Sequence, residues 1–161
     1  MAYKISTSGM EELTDALRKT GDAAGEIAAA GLYEGAGVVA DSVSRAVRGI
    51  VTEKFRYAAG GSKRLPSPEE KAVIENAQKG VSRFRDNGAS VNTSVGLNAA
   101  GYGTMAGRTK PVGLIANAIN SGTSFMTKQP FYRQAVSTSR SHALTEMEKK
   151  LREEVGKLSG T

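Results

Sequence analysis

Few side chains in this sequence have the type and spacing that catalysis or metal binding requires. His142 is the only histidine and cysteine is absent, so a disulfide framework and a thiolate metal site are excluded. Gly101, Gly103 and Gly107 do not follow a strand and open a helix, as the glycines of a phosphate-binding loop do. Most carboxylates lie near Lys or Arg on helix faces, which is typical of a solvated surface. The sequence therefore predicts no catalytic residue, no metal ligand and no cofactor, and a protein that is not an enzyme.

Positive charge is concentrated in the middle of the chain. Residues 61–144 contain eleven Lys and Arg and four Asp and Glu, a local balance of +7. The first sixty residues sum to −1 and the last seventeen to zero. Two interpretations stay open, a solvated basic surface or a surface that faces a polyanion.

The composition limits the size and the kind of core. With 161 residues we expect a single domain over 1–161. Aromatic residues are only 6% and there is no Trp, so part of the apolar surface is expected to be buried against partner copies. No apolar run approaches the roughly 20 residues of a membrane span, and the first five residues have no signal-peptide core.

Four helices beyond the N-terminal strand are indicated by caps and apolar stripes, and a fifth, short one is expected at 111–119. Ser8-Gly9-Met10-Glu11 is a capping box that starts a first helix, after a possible edge strand at residues 3–5. A longer second helix is expected from Asp22 to about Phe55. Ser67-Pro68-Glu69-Glu70 starts an extra short helix over about 68–79. Pro130 opens a long C-terminal helix, with Phe131 driving it against the fold. The residues expected to face inward are Leu114, Ile115 and Ala118 in the short helix at 111–119, and Leu144, Met147, Leu151, Val155 and Leu158 in the last helix.

Glycines interrupt the second helix. Gly31 and Gly35 each cost on the order of 1 kcal/mol relative to Ala in a helix interior. A helix that retains them is expected to allow a close backbone approach, either to another element of the same chain or to another subunit.

The remaining chain is predicted to be hairpin and loop. Residues 81–97 contain two strand-like runs around Asn87-Gly88, a dipeptide that favours a β-hairpin turn. Residues about 57–66 and 98–110 are rich in Gly and are expected to be flexible loops. In the turn at Ser121-Gly122-Thr123-Ser124, Gly122 can take a positive φ and the hydroxyls can bond nearby amides.

One pattern resembles a known family. It consists of Ile115-Ala116, Ser121-Gly122-Thr123-Ser124, Gln129-Pro130-Phe131 and Ala135-Val136, followed by a charged amphipathic helix. This order is similar to that of the minor tail-component proteins of long-tailed bacteriophages, which sit in the neck, where the head meets the tail. The Gly9–Leu13 segment, Val38-Val39-Ala40 and the strand at 91–97 occur in the family's order as well.

The resemblance implies an α+β fold, with long N- and C-terminal helices packed on a small antiparallel sheet. It implies a structural virion protein, assembled in the host cytoplasm, that joins or completes the tail as one subunit of a homo-oligomeric ring around the DNA channel. The ring is expected to be a hexamer. Its neighbours would be head-completion or connector rings, tail-terminator or tail-tube rings, and DNA contacted without sequence reading; no membrane is involved. The residues expected to pack between subunits are Gly31, Gly35, Ser121, Gly122, Thr123, Ser124, Pro130 and Phe131. Those expected to face the DNA are Lys63, Arg64, Arg83, Arg85, Arg108 and Lys110. A free basic protein that binds DNA without sequence preference is the alternative, and a small hydrolase is a third interpretation.

Overall fold

A computed structural model describes residues 2–4, 23–54, 63–83, 85–86 and 90–159, and the fold is α+β. Its elements are β1 (Ala2–Lys4), α1 (Ala23–Arg48), α2 (Pro68–Asn76), β2 (Gln78–Val81), β3 (Arg85–Asp86), β4 (Val91–Asn92), β5 (Ser94–Leu97), β6 (Tyr102–Met105), β7 (Arg108–Pro111), α3 (Val112–Ser121) and α4 (Phe131–Ser159). One sheet has the strand order β1-β5-β2, and β3-β4 and β6-β7 are two-stranded ladders. The first helix predicted, from Ser8 onward, lies outside the described residues.

The chain divides into two compact units. The first unit contains Asp41–Lys79 and Gly96–Thr138, and the second contains Ala2–Ala40, Gly80–Val95 and Ser139–Thr161. That residues 1–161 act as one domain stays a prediction.

In the second unit, α1 and α4 approach closely because α1 has glycine where α4 has a large side chain. A Cβ added at Gly31 would lie 2.7 Å from Leu151 Cγ, and one added at Gly35 would lie 2.5 Å from Met147 Sδ. Both large side chains are 2% exposed. The close backbone approach expected at these glycines is therefore made within the chain.

In the first unit, the other halves of α1 and α4 also meet. The Ser42 hydroxyl donates a hydrogen bond of 3.1 Å to the carbonyl of Ala135, and Val43 and Val47 are buried. Helix α1 ends at Arg48 rather than near Phe55, so that part of the prediction is wrong. The Lys71 ammonium donates to the Arg48 carbonyl at 2.6 Å, which satisfies one of the free acceptors at the helix end.

Residues 51–53, shortly after the end of α1, are held by hydrogen bonds to residues distant in the sequence. The side-chain amide of Gln129 accepts from Val51 N at 2.9 Å and donates to Val51 O at 2.8 Å. Glu53 N donates to the Pro66 carbonyl at 2.9 Å. These bonds replace the helical hydrogen bonds that a continuation of α1 would have made.

The hairpin predicted at 81–97 is confirmed, and it begins earlier than expected. Strand β2 starts at Gln78 because α2 ends at Asn76 rather than near residue 79. The β3–β4 ladder pairs Arg85 with Asn92 and Asp86 with Val91; residues 87–89 lie outside the described part. Between the two ladders, Thr93 is buried and its hydroxyl donates to the Ser82 carbonyl at 2.8 Å.

The loop predicted at 98–110 is wrong, because a second antiparallel hairpin occupies most of it. Strands β6 and β7 pair in register from Tyr102–Pro111 to Met105–Arg108. Ala106 and Gly107 form the turn with φ of 50° and 76°, and positive φ at both central residues is the feature of a type I′ turn. Gly103 is needed in β6 because a Cβ there would lie 2.5 Å from Val73 Cγ1.

Two leucines predicted to face inward do not. Leu114 is 51% and Leu144 is 40% exposed, so both expectations are wrong; the side chain of Leu158 lies outside the described part. In α4 the buried row repeats every four residues and consists of Ala135, Ser139, Ala143, Met147 and Leu151. The small residues of this row allow the backbones of α1 and α4 to come close. A prediction of the buried face from large apolar residues alone therefore selects the wrong face of α4.

Two glycines of α1 offer a matched test of this packing. We expect Gly35→Ala to lower the free energy of unfolding by about 1–3 kcal/mol, since its Cβ would overlap Met147 and lie 3.0 Å from the Ala143 carbonyl oxygen. Gly37 has no atom within 4 Å of an added Cβ, so Gly37→Ala is expected to raise it by up to about 1 kcal/mol. Chemical denaturation of both variants measures the difference. Equal effects of the two substitutions would contradict the packing.

Candidate functional site

The segment that carries the family resemblance forms a closed turn in the first unit. Thr123 N donates to the Met126 carbonyl at 3.1 Å, and the Thr123 hydroxyl accepts from Phe125 N and Met126 N at 3.3 and 3.0 Å. Gly122 has φ 75°, and a Cβ there would lie 3.0 Å from Lys128 Cβ. Both the conformation and the space therefore require glycine.

The turn is attached to the residues before α2 by a short parallel bridge between Arg64 and Met126. Arg64 N donates to the Phe125 carbonyl at 2.9 Å, and Thr127 N donates to the Arg64 carbonyl at 2.8 Å. Residues 63–66 are thus held in place, although a flexible loop was predicted at about 57–66; residues 57–62 lie outside the described part. The Arg64 and Met126 side chains are both buried, at 4% and 0% exposed, while Lys63 and Phe125 are exposed.

A buried ion pair lies beneath the turn. Arg64 donates to both carboxylate oxygens of Glu70, from Nη1 to Oε2 at 2.7 Å and from Nη2 to Oε1 at 2.6 Å. Nη1 also donates to the Leu65 carbonyl at 3.0 Å. The expectation that Arg64 faces DNA is therefore wrong, because its guanidinium is buried and its charge is neutralised by Glu70.

The Glu70 carboxylate joins three parts of the first unit. It completes the capping box of α2, accepting from Ser67 N at 2.8 Å while the Ser67 hydroxyl accepts from Glu70 N at 3.2 Å. It also accepts from Ala106 N, in the turn of the β6–β7 hairpin, at 3.3 Å. Burial alone would raise the pKa of Glu70, but the Arg64 hydrogen bonds and charge and the two backbone donors together lower it below its usual value.

The guanidinium of Arg64 also contacts an aromatic ring. Its Cζ lies 5.8 Å from the centroid of Phe125, over the ring, within the range of a cation–π interaction. Phe125 is 48% exposed. An exposed ring is thus held from one side by a cation whose own position is fixed.

The start of α4 has a structural function. The Pro130 carbonyl accepts the first helical bond, from Gln134 N at 3.1 Å, so Pro130 precedes the helix as its cap. The Asn120 side chain accepts from Tyr132 N at 3.1 Å, and Phe131 is 6% exposed. Ser121 donates to Asn117 Oδ1 at 3.2 Å. The subunit contacts expected at Ser121–Ser124, Pro130 and Phe131 stay predictions.

Charge divides between the two units. Among the described residues, the first unit has eleven Lys and Arg and five Asp and Glu, a formal +6, and the second has eight and seven, a formal +1. Gly96–Thr138 contains no acidic residue. Of the cations predicted to face DNA, Lys63 and Arg108 are exposed and Lys110 is half-buried in the first unit, whereas Arg83 and Arg85 are exposed in the second.

A groove of about 520 Å³ runs in the first unit between the end of α1 and the start of α4. Among its lining residues only Lys128 is ionisable, and the Gln129 amide is engaged by Val51. His142 is exposed on α4. Within the described part of the chain, no three His, Asp or Glu residues lie where they could hold a metal ion, and no helix there is long and apolar enough to cross a membrane.

The contacts of Glu70 with Arg64 and with Ala106 were not predicted from the sequence. The Ser67-to-Glu70 spacing fits a capping box, and that signal could have identified Glu70 as a capping residue of α2. No local signal connects Glu70 with Arg64 or with Ala106.

Comparison with known proteins gives no relative: no family model, no curated protein and no solved structure matches the chain.

The ion pair can be tested by removing one partner. We expect Glu70→Ala to lower the free energy of unfolding by about 3–5 kcal/mol, because the Arg64 charge would stay buried without a counterion. Glu75→Ala is a matched control on the same helix, since Glu75 makes only a 3.8 Å surface pair with Lys71 and should change stability by less than about 1 kcal/mol. Comparable destabilisation in the two variants would contradict a buried pair of this strength.

The lowered pKa of Glu70 gives a pH dependence. The folded protein holds this carboxylate ionised more strongly than the unfolded chain does. Its contribution to the free energy of unfolding is therefore complete above the ordinary pKa of 4.5, and it is lost as the pH falls below that value. The free energy of unfolding should therefore fall less between neutral and acid pH in Glu70→Gln than in the wild type. Denaturant titrations across this range measure it, and parallel curves would contradict the assignment.

Proposed function

We propose that this chain is a structural virion protein of a bacteriophage neck, which joins or completes the tail as a subunit of a ring around the DNA passage, and that it is not an enzyme. The observation that carries the proposal is the division of charge among the described residues, with +6 in the first unit and +1 in the second. The resemblance in the 115–136 segment supports it.

A ring subunit around DNA has to serve two kinds of neighbour. A surface with excess positive charge attracts phosphate without reading sequence, and the first unit has that excess. The described end of α4, in the second unit, contains several ion pairs, for example Lys157 with Glu153 at 2.9 Å and with Glu154 at 2.8 Å. A balanced surface of this kind suits contact with protein.

The contacts of the first unit fit a scaffold. Hydrogen bonds join residues far apart in sequence, such as Val51 with Gln129 and Arg64 with Phe125. Such bonds fix the turn and the start of α4 to the end of α1. Rigid positioning of this type is what repeated copies need if one heterologous contact is to close into a ring.

The first experiment measures assembly. The purified full-length chain is examined by native mass spectrometry and negative-stain microscopy, with purified virions searched for the chain by mass spectrometry. Closed rings, expected to contain six copies, together with the chain in particles, support the proposal. A chain that is absent from particles and stays monomeric, but binds DNA, would overturn it in favour of a free basic DNA-binding protein.

The second experiment asks which unit contacts DNA. One variant replaces Lys63, Arg108, Lys110 and Lys128 of the first unit by Gln, and a matched variant replaces Arg83, Arg85, Arg140 and Arg152 of the second. The first set should weaken duplex binding and reduce the slope of log affinity against log salt by about 0.9 for each phosphate that is no longer neutralised. The second set should do so to a much smaller extent. The opposite order would assign the DNA contact to the second unit.

A further inference from the structure

The exposed ring of Phe125 belongs to a part of the first unit that is unusually well fixed for a surface turn. Backbone bonds hold the residue on both sides, from Phe125 N to the Thr123 hydroxyl and from Arg64 N to the Phe125 carbonyl. The next residue, Met126, is fully buried. The ring therefore stays at the surface because of its backbone position and not because the turn is loose.

One side of the ring is already occupied. The Arg64 guanidinium lies over it at 5.8 Å and is itself held by both oxygens of Glu70. Because 48% of the residue is still exposed, the ring offers a flat, apolar surface to an incoming group. Little ordering of side chains is needed before that group binds, which favours affinity.

Two cations lie near Phe125 along the backbone. Lys63 and Phe125 precede the two residues of the Arg64–Met126 bridge, so their backbones are neighbours, and both residues are exposed. Lys128 is exposed at the end of the same turn. No carboxylate occurs between residues 96 and 138, the stretch that contains Phe125 and Lys128.

We propose that Phe125 is a stacking site for an unpaired base of single-stranded nucleic acid, with Lys63 and Lys128 contacting the phosphates beside that base. Aromatic stacking and backbone cations are the combination by which proteins bind single strands without reading sequence. A protein partner would be expected to find further apolar residues around an anchoring ring, whereas the exposed residues that the bridge and the turn bring near Phe125 include Lys63 and Lys128. The proposal does not depend on ring assembly and goes beyond the proposed function.

The test measures binding of a fluorescently labelled thymidine oligonucleotide by anisotropy, using the full-length protein. Phe125→Leu keeps an apolar side chain but removes the aromatic face, and should weaken binding by about 5- to 150-fold. Phe125→Tyr should retain the affinity. Tyr102→Leu is the matched control, because Tyr102 is an aromatic residue of the same unit that is 72% exposed, and it should leave binding unchanged.

The two lysines are tested separately, through the salt dependence of binding. Lys63→Gln and Lys128→Gln should each reduce the slope of log affinity against log salt by about 0.7, while Phe125→Leu should leave that slope unchanged. Melting temperatures equal to that of the wild type show that the variants are folded. If the wild type does not bind the oligonucleotide, or if Phe125→Leu and Tyr102→Leu have the same effect, the stacking site is wrong. Failure to form rings would overturn the proposed function and leave this result standing.

Discussion

The first unit depends on one buried ion pair. A carboxylate and a guanidinium removed from water are costly unless every donor and acceptor finds a partner. Glu70 meets that condition through Arg64, Ser67 N and Ala106 N. Those partners belong to the segment before α2, to the start of α2 and to the turn of the β6–β7 hairpin. Because Arg64 also pairs through its backbone with the turn at Phe125, a single charged pair holds four separate pieces of chain in register.

The features that could be predicted from the sequence are those determined by residues close together in the chain. Ser67 and Pro68 fix the start of α2 through a cap and a preset φ. The start of α4 was predicted from Pro130, which lies one residue before the first helical position. The hairpin around Asn87-Gly88 was predicted because that dipeptide favours a turn with φ above zero. In each case the physical cause lies within about four residues, and the sequence displays it.

What could not be predicted depends on partners that are distant in sequence. The β6–β7 hairpin has few apolar residues, because its packing onto α2 uses the absence of a side chain at Gly103. Arg64 was expected at the surface because the sequence shows that it is charged. No local pattern in the sequence indicates its ion pair with Glu70. Leu144 was placed inward on the strength of its size, while the close approach of α1 and α4 instead favours Ala143 on the buried row. The candidate site shares this property, since Phe125 and Lys63 are 62 positions apart in the chain.

Gly37 differs from Gly31 and Gly35, which precede it on α1. A side chain added there would meet no atom within 4 Å, and the chain contains no cysteine. A thiol introduced by Gly37→Cys would thus be the sole thiol in the protein, on a continuous helix. A spin label or dye attached at that point would report distances between copies or between protein and nucleic acid, with the packed face of the helix left as it is.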